Sequence, residues 1–164
     1  METKSYTTIN RVKAGWPSGP WDGEPDKVQW PDAATGLPCL VVRNGITGIL
    51  CGYVGVAPGH PLYGKGYHDV GVDVSVHGDL TFADKCNPLE KEDEGICHVA
   101  GPGEPEHVWW FGFDCGHLRD APPFDPFKFD FGCATTYKTL AFVQDECASL
   151  AAQLHLGHVV SLGP

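Results

Sequence analysis

No stretch of this 164-residue chain approaches the ~18 consecutive apolar residues that cross a bilayer, and residues 1–11 lack the apolar centre of a secretory leader. A cytosolic protein is the expectation. Positive charge is also scarce: 11 Lys and Arg face 21 Asp and Glu, a formal net charge of −10. That balance argues against general affinity for nucleic acid or an anionic membrane and leaves room only for a local basic pocket. The sequence contains no GxxxxGK[ST] loop, no GxGxxG after a strand, no HExxH, no CxxC and no GxSxG. The best-defined nucleotide, metalloprotease, redox and serine-hydrolase signatures are therefore excluded.

What the chain has in quantity is glycine (21) and proline (14), about a fifth of its length, beside 42% hydrophobic residues. This mixture has enough apolar material for a core but too many helix breakers for a mainly helical protein. One loop-rich domain over residues 1–164 follows, with an irregular arm at 1–36, a sheet with loops at 37–134 and a helix at 135–156. In the arm, Trp16, Trp21 and Trp30 stand among repeated Gly and Pro as aromatic anchors, with 27–30 as its one short strand. Residues 37–43 and 49–56 are β-branched runs around Asn44, Gly45 and Gly48, the pattern of a hairpin with Pro38 at its start or on an edge.

Residues 70–82 alternate, Val70, Val72, Val74, Val76, Leu80 and Phe82 against Asp73, Ser75, His77, Asp79 and Thr81, which predicts a half-buried strand with a bulge or close approach at Gly78. A second aromatic strand is predicted at 108–115, and the charged stretch 83–107 between them reads as surface loop. The segment 121–132, with Phe124, Phe127, Phe129 and Phe131 among three prolines, reads as an aromatic loop or lid. Apolar residues then recur at three and four from Tyr137 to Leu154, with Thr135 or Thr136 as cap and Gly157 beyond the end, predicting the one long helix. The expected class is α+β: a small antiparallel or mixed sheet with this C-terminal helix packed on one face.

Three groups of residues could carry chemistry. His77 with Asp73, Asp79 and Thr81 faces Asp114, His117 and Asp120 if the two strands are neighbours; that set suits acid–base work or a divalent metal, and a solvated sheet face accounts for it better than catalysis does. The loop carrying His60, Tyr63, Lys65 and Tyr67 is a basic, aromatic exception in an acidic chain, able to meet an anionic ring-bearing ligand, or simply a long connection over the core. Cys86, Cys97, His98, Cys115 and His117 could supply zinc ligands in a spacing that matches no standard finger. Free thiols, or a Cys86–Cys97 pair closing the acidic loop, fit the same cysteines better. Cys115 with His117 or His77 as base is a further candidate nucleophile.

The stretches CGYVGVAPGHPLYGKGY (51–67), VHGDLTF (76–82), WWFGFDCGH (109–117) and LAFVQDECASLAAQL (140–154) resemble a family of small uncharacterised proteins of phages and bacteria, with HGGLTF and WWFGFDCAH-like motifs. Asp79 and Gly116 depart from that pattern. The resemblance implies that these motifs matter, and a phage setting would imply a role in countering host defence, such as capturing or destroying a nucleotide signal.

Three functions compete. The first is a binding protein for a small nucleotide-like ligand, with His60, Tyr63, Lys65, Tyr67 and Trp110 around it, no cofactor and a homodimer as a plausible assembly. The second is a metal-dependent hydrolase or phosphodiesterase, with His77, Asp114 and His117 as ligands of an ion such as zinc and Asp79 or Asp120 positioning water. The third is an acidic protein inhibitor presenting Glu90, Glu92, Asp93 and Glu94.

Overall fold

Among the described residues, six strands and one long helix organise the chain. The computed structural model describes residues 1–9, 15–70, 74–125 and 132–161. The strands are β1 (Lys4–Tyr6), β2 (Lys27–Pro31), β3 (Pro38–Arg43), β4 (Leu50–Val56), β5 (Phe82–Lys85) and β6 (Trp109–Asp114), followed by α1 (Leu140–Ser161). They form one sheet in the order β1-β2-β3-β4-β6-β5, antiparallel at every junction. The α+β architecture expected from composition and patterning is the one observed.

The β3–β4 hairpin forms where the β-branched runs predict it, and Pro38 opens β3, where its missing N–H leaves little of the ladder unpaired. Its turn is organised by Asn44, whose Oδ1 accepts hydrogen bonds from the N–H groups of Ile46 and Thr47 at 2.9 and 3.0 Å.

Period-two alternation sends the two sides of the sheet to different cores. Cys39, Val41, Leu50, Val54, Val56, Phe111 and Phe113 face α1, which buries Val143, Cys147, Leu150, Ala151 and Leu154 against them. Full burial of each large apolar side chain contributes about 1.5–3 kcal/mol, more than any intrinsic helix or strand preference of the same residue. Gly52 is central to this contact: a Cβ there would overlap the Phe113 ring and crowd Cys147 Sγ, so the bare backbone lets the helix approach β4. On the opposite side, Leu40, Val108 and Trp110 form a second cluster with Tyr53, Phe82 and Ile96. Residues 86–107 cover that side and are closed by a Cys86–Cys97 disulfide.

Four expectations need correction. The arm at 1–36 is not wholly irregular, because it supplies β1 as well as β2; three polar residues gave no alternation to read. Residues 74–81 are not strand. Val74, Val76 and Leu80 pack on the core while the backbone bonds to side chains of α1: Ser75 N–H donates to Gln153 Oε1 at 2.8 Å and His77 N–H to Glu146 Oε2 at 2.7 Å. The helix starts later and runs further than 135–156. Thr139 caps it, its Oγ1 accepting from Phe142 N–H at 3.3 Å, and helical backbone continues through Gly157. The acidic stretch is more than surface loop: Tyr6 Oη donates to Glu92 Oε1 at 2.5 Å, and Lys27 Nζ donates to the carbonyls of Glu92 and Cys97. Of the predicted aromatic lid, Phe124 is partly exposed, while Phe127, Phe129 and Phe131 lie outside the described residues.

Lys27 is a buried cation under that cover. Burial pushes its ammonium down to about 8, against the opposing pull of Glu92, Asp93 and Glu90. Between about pH 8 and 10.5 the unfolded chain then holds a proton that the folded chain has released, so this residue makes stability rise with pH across that window. Urea unfolding of the wild type and Lys27→Met across pH 7–10.5 is expected to show the rising contribution only in the wild type; parallel curves would refute it.

Candidate functional site

The C-terminal end of β6 is where the chemistry gathers. After Asp114 the chain turns through Cys115 and Gly116 and comes back on itself, with Asp120 N–H donating to the His117 carbonyl at 2.9 Å. Asp120 and Thr136 form a parallel bridge, which holds this turn against the segment leading to α1. The Asp120 side chain is almost fully buried. Its Oδ2 accepts from His117 N–H at 3.0 Å and lies 2.8 Å from His77 Nε2 and 3.3 Å from His117 Nδ1. Lys138 Nζ stands 3.7 Å from the other oxygen, Oδ1. Burial opposes ionisation of this carboxyl, but the hydrogen bonds from His77 and His117 outweigh it and hold the group below the usual carboxylate range.

The two imidazoles meet edge to face, 5.4 Å between ring centres, and Phe142 of α1 packs against the outer edge of His77 at 5.3 Å. One ligand atom from each of His77, His117 and Asp120 lies within 4.8 Å of the others. Two imidazoles and one carboxylate, with His77 and His117 each part-exposed, match the donor set of a three-ligand site with open positions for zinc, iron or manganese. An open groove of about 540 Å³ runs from His77 along α1, past Ser75, Glu146, Ser149 and Gln153.

Backbone conformation makes this convergence possible. Gly78 and Asp79 both occupy the left-handed region, at φ +67° and +68°, so the chain reverses sharply just after His77. A Cβ on Gly78 would overlap the His117 ring. Gly78→Ala is therefore expected to displace His117 and to cost about 1–2 kcal/mol for the disfavoured backbone alone. Imidazole NMR resonances of His117 and a urea midpoint check both effects; unchanged resonances would contradict this role for Gly78.

The residues predicted from sequence fall into several places. His77 and His117 converge, but the third partner is Asp120 rather than Asp114. Asp114 instead receives Thr81 Oγ1 at 3.2 Å on Oδ2 and Gly116 N–H at 2.9 Å on Oδ1, which ties down the turn. Asp79 is exposed and Asp73 lies outside the described residues. The His117-x-x-Asp120 spacing was the available signal for the missed ligand, since a one-turn return places residues three apart side by side. Cys115 is buried, and desolvation with the nearby Asp120 raises its thiol far above the ordinary range, which disfavours the thiolate that a nucleophile needs. The disulfide takes Cys86 and Cys97 out of the suggested zinc set.

In the other predicted group, His60 Nδ1 accepts from Leu62 N–H at 3.1 Å and shapes its own loop. Lys65 serves through its carbonyl, which accepts from Trp109 Nε1 at 2.9 Å, and Tyr67 stacks on His68 with ring centres 4.1 Å apart. Tyr63 and Trp110 alone of this set line a common cavity. Of the acidic run, Glu92 is turned inward: it accepts from Tyr6 and stands 3.6 Å from Lys4 Nζ. Among the described residues, no helix is long and apolar enough to cross a membrane. Comparison of the chain with protein-family models, with curated proteins and with solved structures finds no match.

Proposed function

We propose that the protein is a metal-dependent hydrolase whose centre is His77, His117 and Asp120. The observation that carries this reading is the convergence of two imidazoles and a buried carboxylate on one point beside an open groove. The histidines come from the two motifs, VHGDLTF and WWFGFDCGH, on which the likeness to the phage and bacterial family rests, and this supports a shared functional role.

A divalent cation held there supplies Lewis acidity and an activated water at neutral pH. The chain supplies the rest. Lys138 faces Oδ1 of Asp120, which leaves Oδ2 as the oxygen presented to both imidazoles. Glu146 anchors the backbone of His77, and Phe142 limits the movement of its ring. Such outer contacts fix ligand orientation and commonly change metal affinity by 10–100-fold when removed. The groove along α1 gives a substrate access from the side of His77, where Ser149 and Gln153 offer polar contacts.

The test is a titration of chelator-treated protein with Zn²⁺, Mn²⁺ and Mg²⁺ by calorimetry, with thermal unfolding and a panel of phosphodiester and carboxylic-ester substrates in parallel. One equivalent of a transition metal is expected to bind, to raise the melting temperature and to switch on hydrolysis of at least one ester class. Absence of saturable binding by all three ions would end the proposal.

A further inference from the structure

A second site lies at the far end of β6. Here the chain leaves β5 at Lys85, runs through the disulfide-closed cover, and re-enters the sheet at Trp109, bordering a cavity of about 570 Å³. That volume is within the ~300–1,000 Å³ typical of small-molecule sites. Its walls combine the rings of Tyr63 and Trp110 with the nitrogen-bearing side chains of Lys85, His98 and His107, and Glu106 is the one carboxylate among them. In a chain of net charge −10 this lining is locally neutral, Lys85 balancing Glu106 beside two imidazoles.

Trp110 supplies the independent sign of a ligand. It is completely buried, yet its indole Nε1, a donor with no other outlet, has no hydrogen-bond partner. A buried donor left unpaired is unfavourable, and an acceptor on a bound molecule would satisfy it. His98 meets the Trp110 ring edge-on at 5.5 Å, and burial together with Lys27 lowers its pKa, so it faces the cavity as neutral imidazole able to donate or accept. Lys85 and His107 lie at the exposed mouth.

We infer that this cavity binds a small aromatic anion: a flat ring carrying a phosphate or carboxylate, the ring held by Tyr63 and offering an acceptor to Trp110, the anionic group held by Lys85 and His107. The site is separate from the His77 centre and does not depend on it.

Calorimetry on the purified full chain with adenosine 5′-monophosphate in one arm and indole-3-acetate in the other distinguishes phosphate-bearing from carboxylate-bearing ligands. Saturable 1:1 binding in either arm is expected, weakened about tenfold or more by Lys85→Ala at the exposed mouth and by Trp110→Phe, which keeps the ring and removes the donor. His77→Ala is expected to bind the probe as the wild type does. Failure of both probes to saturate, or wild-type affinity in Lys85→Ala, would overturn the inference; Lys85→Ala retains the test should Trp110→Phe fail to fold.

Discussion

Replacing Arg43 with alanine is expected to lower the unfolding free energy by about 3–5 kcal/mol, the range for removing one partner of a buried ion pair. Its guanidinium is fully buried and uses each nitrogen. Nη1 donates to the Gly48 carbonyl at 2.9 Å and Tyr137 Oη at 2.8 Å, Nη2 donates to Glu24 Oε2 at 2.9 Å, and Nε lies 3.2 Å from Asp26 Oδ1. The acids are themselves engaged: Glu24 accepts from Leu140 N–H at the start of α1, and Asp26 accepts from Thr8 and Ile9 N–H. Alanine would leave two acids without their cation, while the arm, the β3–β4 turn and the helix start lose their common anchor. A total stability of ~5–15 kcal/mol makes this a large fraction. Arg43→Lys keeps the charge without the planar fork and should recover only part of the loss. Urea unfolding measures both variants, and a loss below about 1 kcal/mol for alanine would show that the network is dispensable.

Asp120→Asn is expected to reduce transition-metal affinity by about 100-fold and to remove metal-dependent hydrolysis. The amide has nearly the shape of the carboxylate but no charge, and its NH₂ end can only donate toward groups that themselves need an acceptor. The same variant tests acid sensitivity. Because the folded Asp120 carboxyl titrates below its ordinary value, it stabilises the protein above that value and loses the contribution as pH falls through the folded pKa. Asn lacks this acid-dependent component, so its stability should fall less steeply than that of the wild type below about pH 4. Unaltered metal affinity with an intact fold would remove Asp120 from the centre.

The hairpin, the aromatic strand and the helix were legible because each buries one face of a regular period, and that periodicity is written locally. Residues 74–81 carry the same period-two signal without a ladder: Val74, Val76 and Leu80 pack on the core while Ser75 and His77 offer backbone N–H groups to side chains of α1, about seventy residues away, so no local pattern separates that arrangement from a strand. The convergence of His77 with His117 was legible as a conditional statement about neighbouring elements. The choice of Asp120 over Asp114 depended on a chain reversal at 115–120 that strand alternation does not describe. Arg43 left no trace at all, since Glu24 and Asp26 of the arm and Tyr137 before the helix are drawn from two distant segments, and a buried charge looks like any other arginine until its partners are placed.

The sheet is bounded on one side by three residues of β1 and on the other by four residues of β5, where Asp84 and Lys85 are exposed. Borders so brief and so charged offer little template to an incoming strand. Growth of the sheet from molecule to molecule is thereby discouraged at both ends, which protects a chain rich in β-branched and aromatic segments from fibre-like stacking. Edges of this kind leave side chains on the helix or loops as the better surface for any pairing of two copies.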